Sequence, residues 1–130
     1  MIATVEEQDL TIADLVHRLG DIPTDRIMLH PAPGTATEED VIRLLEGPRK
    51  RLCELIDGVL VEKPMGMLEG ILGAWLSHML WTFVESADLG IVFGSDSSIR
   101  FRLGLVRYPD VGFISWDRIP NEEMPDDAIG

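Results

Sequence analysis

The segment that follows Pro64-Met65-Gly66 constrains this chain more than any other. Apolar residues stand at 68, 71, 72, 75, 76, 79, 80, 83 and 84, the spacing of a helix over about five turns. Gly70, Gly73, Ala74 and Ser77 are small, which suits close approach of that helix to a sheet. The Met, Leu and Trp stripe reads as core, with Trp75 buried and Trp81 off the stripe and partly exposed. Ser77 and His78 interrupt the apolar run, and Glu69 and Glu85 bracket it. It falls short of the roughly 18 apolar residues that cross a bilayer. A soluble protein with no membrane partner is expected.

Strand signals lie on both sides of this segment. Before it, Arg51 to Lys63 holds two β-rich runs around Asp57-Gly58, the dipeptide of a type I′ hairpin turn. After it, Leu89-Gly90 stops the helix and Ile91-Val92-Phe93 begins a strand. Ile99, Phe101 and Leu103 then alternate with Ser98, Arg100 and Arg102, which predicts a strand with one buried and one basic face. A last apolar strand follows Pro109-Asp110. The expected fold class is α/β (α+β): a helical lead-in, a β-hairpin, a long helix and a three-stranded antiparallel meander.

The lead-in contains two helices. Thr11 with Asp14 has the spacing of a capping-box variant, and Thr37-Glu38-Glu39-Asp40 opens a second helix with acids crowding its positive end. His17 and Arg18 suit the last turn of the first helix, Gly20 its stop. Gly47-Pro48 ends the second. His30 beside Pro31 has no partner at metal-ligand spacing and reads as structural. Three parts follow: an acidic lead-in over 1–48, a body over 49–118 and an acidic tail over 119–130.

Charge supports this division. The chain has 130 residues and a net charge of −12, which disfavours nonspecific binding to a phosphate backbone. Ten acidic and three basic residues fall in 1–48, and four acidic and no basic in 119–130. The body carries nine acidic and eight basic, so it is close to neutral. Cys53 is the single cysteine, which leaves no internal disulfide or thiolate cluster. The first residues lack the basic and apolar regions of a signal peptide. A cytoplasmic location is expected.

Three acids stand out. Asp110 follows a proline and opens a buried strand, a rigid place for an oxygen ligand to a hard cation, though Pro-Asp is also common in turns. Glu54 lies inside the apolar strand Leu52-Cys53-Glu54-Leu55-Ile56, so it is either paired at a surface or functional. Glu69, in the first turn of the long helix, reads as compensation of the helix dipole. Arg100, Arg102 and Arg107 form a modest basic patch that suits phosphates or the acidic lead-in equally. A phosphate-cradling glycine loop, a nucleophile elbow and a His-x-x-x-His pair are all absent from the sequence.

Cys53 to Glu62, then Pro64, the long segment, Gly90-Ile91-Val92 and Arg107-Tyr108-Pro109-Asp110-Val111 together resemble the Uma-type restriction endonuclease family. That family belongs to the PD-(D/E)XK nuclease superfamily. The resemblance covers about Leu52 to Trp116, and the acidic helix opening at Thr37 also fits. It implies a restriction-endonuclease-like core, DNA as partner and Mg²⁺ or another divalent cation as cofactor. It assigns Asp110 to the metal and to catalysis, and Glu54 to the catalytic site. Arg100, Arg102 and Arg107 are the candidate substrate contacts.

The family pattern continues with a strand bearing a second acid and a lysine. Here the sequence reaches Gly130 within an acidic loop, and Lys63 stands too early to match that lysine. The expectation is a chain that lacks half of its site and does not cleave by itself. The alternative is an inactive remnant that acts as a structural or interaction module. An open edge at the Pro-Asp strand would then favour self-association, including a homodimer.

Overall fold

A computed structural model describes residues 10–64 and 66–119. Helix α1 is Ile12–Arg18, and a 3-10 turn spans Thr24–Arg26. Helix α2 is Glu38–Glu46, followed by strands β1 (Cys53–Ile56) and β2 (Val59–Glu62). Helix α3 is Met67–Ser86. Strands β3 (Gly90–Gly94), β4 (Ile99–Arg102), β5 (Leu105–Arg107) and β6 (Val111–Ser115) complete the order, and a 3-10 turn at Trp116–Arg118 follows. The fold class is mixed α/β, as the sequence indicates. Residues 120–130 of the acidic tail and the first nine residues lie outside the described residues.

Both lead-in helices start as their capping residues dictate. The Asp14 carboxylate accepts from the Thr11 backbone N–H at 2.9 Å, and that of Asp40 from Thr37 at 2.8 Å. These bonds hold both carboxyls below the ordinary aspartate range. The 28–36 segment packs over the hairpin, with the Met28 N–H on the Leu60 carbonyl and the Gly34 N–H on the Gly58 carbonyl. Asp57 and Gly58 both have positive φ, at 49° and 80°, as a type I′ turn requires.

That turn sets the register: Ile56 faces Val59, and Glu54 faces Val61. Cys53, Leu55 and Leu60 leave one face of the hairpin and form a core with Ala36, Val41, Val106 and Tyr108. Helix α2 covers this face through Val41. Burial in this core pushes the Cys53 thiol and the Tyr108 phenol up.

The strands after α3 differ from the expected meander. Among the described residues there are four rather than three, in two sheets. The larger has the order β2-β1-β5-β4, and the smaller pairs β3 with β6. Gly104, at φ 84°, splits the predicted strand and loop into the β4-β5 hairpin, and its carbonyl accepts from the Asp57 N–H. Strand β3 therefore skips its neighbours in sequence and pairs with β6, Gly90 opposite Ser115 and Gly94 opposite Val111. A Cβ on Gly90 would collide with the Ile114 carbonyl, so glycine permits this close pairing. Among the described residues, no strand occupies the far edge of β6.

A β-bulge between Arg100 and Arg102 breaks the alternation expected of β4. Arg100 stands opposite Val106 and Arg102 opposite Leu105, successive residues whose side chains leave opposite faces. Phe101 and Leu103 are exposed, so the predicted buried face of this strand does not form.

Helix α3 runs opposite to expectation. It packs on β3 and touches β6; Gly73, Ser77 and Leu80 are half-buried along one side of it, and Val84 on that side is buried. Leu72, Met79 and Phe83 face outward, and Trp75 is 62% exposed. Of the small residues only Gly73 and Ser77 lie on this side, together with Leu80 and Val84, while Gly70 and Ala74 are exposed. The bulky stripe is displaced to the opposite side. Trp81, at 40% exposed, is partly open as expected.

Candidate functional site

The alternation of β2 carries Lys63, one residue past the strand, to the same face as Val59 and Val61. Its backbone N–H bonds the Leu52 carbonyl, which prolongs the hairpin ladder by one step. The side chain crosses to the smaller sheet and meets Asp110, the residue before β6. The Lys63 Nζ to Asp110 Oδ1 distance is 2.9 Å, and the same ammonium donates to the Ser95 carbonyl at 3.4 Å. Ser95 directly follows β3. One lysine therefore ties the hairpin to both strands of the second sheet.

Burial makes this pair unequal. Lys63 is 8% exposed and the Asp110 side chain 64%. A buried ammonium requires a partner, while the carboxylate keeps surface open to solvent and to a ligand. The pair borders a cleft of about 330 Å³ between the first turns of α3 and the ends of β2 and β3. Glu69, Gly70, Gly73 and Ser77 form the helix wall, and the Asp110 carbonyl lies 3.8 Å from where a Gly73 Cβ would sit. A Cβ at 73 would make only ordinary contact there, so the Pro109-Asp110 step lies beside the helix without requiring glycine.

Glu54 is buried on the same hairpin face as Lys63, but Arg107 from β5 meets it in an ion pair. The β1-β5 register explains this partner: Ile56 faces Leu105, which brings Arg107 alongside Glu54. Arg100 forks onto Glu38 of α2 at 2.8 and 2.5 Å, and this pairing holds the Glu38 carboxyl below its usual range. Arg102 pairs with Asp57 at 2.8 Å. Each arginine of the expected patch therefore faces an acid of this chain, and Arg100 neutralises the lead-in.

The structure thus joins Asp110 to Lys63 and leaves Glu54 with Arg107. Lys63 is the site residue that motif comparison passes over, because its position in the chain does not match the family's lysine. The signal lay in the hairpin itself, where counting from the Asp57-Gly58 turn puts Glu54 and Lys63 on one face.

Among the described residues, no three His, Cys, Asp or Glu side chains gather to hold a metal ion. Asp110 offers one carboxylate, and Glu54 is engaged by Arg107. The described residues do not make a complete cation site. No helix among them is long and apolar enough to cross a membrane.

The fold and the cleft define a class first. This is a mixed α/β domain of restriction-endonuclease-like type, with a carboxylate at the head of a strand and a buried lysine beside it. A family model, Uma2, described as "Putative restriction endonuclease", matches residues 38–129, and the chain belongs to that family. No curated protein matches it.

Proposed function

We propose that the cleft is the phosphodiester-binding part of a nuclease site for DNA, and that this chain by itself binds DNA there without cleaving it. The observation that carries the reading is the buried Lys63 ammonium, 2.9 Å from Asp110 at the edge of the cleft. A fixed cation held by buried packing stabilises charge on phosphoryl oxygens. The open carboxylate of Asp110 suits orientation of a water or, as the family implies, one bond to Mg²⁺. Glu69 also lines the cleft, but among the described residues no three such side chains gather around an ion. The charge of −12 opposes backbone binding away from the cleft, which favours a local contact over general attraction.

Two assays test this. Anisotropy of a labelled DNA duplex should show binding that Lys63→Met weakens about tenfold or more. Supercoiled plasmid in Mg²⁺ should stay intact. No binding at tens of micromolar chain would overturn DNA as the ligand. Nicking that disappears in Asp110→Ala would overturn the inactivity.

A second reading, an interaction module, is favoured by one observation: the bulky apolar side of α3 faces outward.

A further inference from the structure

We propose that the outward side of α3 is the contact surface of a homodimer, covered by a second copy of this chain. The inference stands apart from the nuclease reading. Leu68, Ile71, Leu72, Trp75, Met79 and Phe83 are each more than half exposed. At about 100° per residue they fall within an arc of about 120°, a single side of the helix. Residues 68, 72, 75 and 79 follow the 4-3-4 spacing of a helix-pairing seam.

The size and chemistry of this side favour a copy of itself. The six side chains expose on the order of 700 Å², more than the roughly 300–600 Å² of the largest patch on a typical monomer. That is near the roughly 800 Å² each partner contributes to a stable complex. The charged residues of α3 are Glu69 and Glu85, and neither falls within the arc. A face without charge offers nothing for a partner selected by electrostatic complementarity. It has the composition of homodimer interfaces, which are more apolar and poorer in charge than those between different proteins. Two copies of a chain at −12 repel each other, and an uncharged helix side is where they can meet at least cost. A two-fold axis near the middle of α3 would bury the same stripe on both copies. The dimer contact therefore moves from the strand edge suggested by the sequence to the helix.

Sedimentation velocity of the full chain from about 1 to 100 µM should show a monomer–dimer equilibrium. The double variant Leu72→Glu/Met79→Glu should weaken it at least 100-fold with unchanged far-UV circular dichroism. A monomer throughout that range overturns the proposal, whether the chain's own residues or a different protein cover the helix. A dimer that survives the double variant also overturns it. If that variant loses its helical signal, Trp75→Cys decides, since Cys53 is buried and does not compete. A bismaleimide should then join two copies through residue 75, and failure to form that product overturns the dimer.

Discussion

Glu54 and Lys63 leave the same side of one hairpin, yet their charges are satisfied from different directions. Glu54 is 7% exposed and depends on Arg107, whose own side chain is half open. Arg107→Ala would leave a buried carboxylate without its counter-charge, at a cost of about 1–3 kcal/mol in urea denaturation. Glu54→Gln in that background should recover part of the loss, because the neutral amide costs less to bury. Equal destabilisation by the single and double variants would show that the charge is not the cause. Cys53 makes a kinetic prediction. It has no exposed surface and a thiol held protonated, so a thiol reagent such as Ellman's should react with it only as the chain unfolds. Rapid stoichiometric labelling of the native chain would contradict that packing. The face and partner of Glu54 follow from hairpin counting plus one strand register. The first of these is legible in the sequence, while the second requires knowing that β5 lies beside β1.

Helix α3 shows how periodicity can be right while orientation is wrong. The 3.6-residue repeat predicts the helix, which ends at Ser86, short of the Leu89-Gly90 stop, because side-chain direction along a helix is local geometry. It does not select the buried side when nearly every position is apolar or small. Leu80 and Val84 anchor the contact side, so Val84→Ala should cost about 2 kcal/mol. Leu72→Ala in the dissociated chain should change stability by less than about 0.5 kcal/mol. The reverse order in chemical denaturation would restore the buried-stripe reading. At the hairpin, Gly58 has φ 80° and a Cβ there would lie 2.5 Å from the Gly34 backbone. Gly58→Ala should therefore destabilise by about 1–3 kcal/mol, with both the left-handed strain and the collision contributing. An unchanged melting temperature would show that the 31–36 segment moves aside.

At the scale of the whole chain, the titrating groups confine stability to a window. The Asp14, Asp40 and Glu38 carboxyls lie below their ordinary values of 3.8, 3.8 and 4.5 in the folded chain. Below those values the unfolded chain takes up protons that the folded chain resists. Their contribution is present above about pH 4.5 and is lost as pH falls through the folded values. Cys53 and Tyr108 behave in the opposite sense. Burial raises them above 9.0 and 10.0, so their contribution is present below those values and is lost as pH rises through the folded ones. Urea midpoints should be flat between about pH 5 and 9 and should fall on either side. Asp40→Asn should flatten the acid limb. A midpoint that rises below pH 4 would contradict the capping bonds.

The sequence by itself determined what is local in this protein. Capping spacing placed α1, the acids after Thr37 placed α2, Asp57-Gly58 placed the hairpin, the apolar repeat placed α3, and the motifs from about Leu52 to Trp116 placed the family. The Pro109-Asp110 step was visible as the head of a strand. Only the tertiary structure decided the rest. Gly90 lets β3 reach β6 past an intervening hairpin, the β4-β5 register sets Arg100 on the side of α2 while a bulge puts Arg102 on the other, and packing on β3 buries Val84 as the inner side of α3. These depend on contacts between segments distant in the chain, which no local pattern records. Lys63 draws on both levels, since the hairpin chose its face and long-range packing brought Asp110 to it.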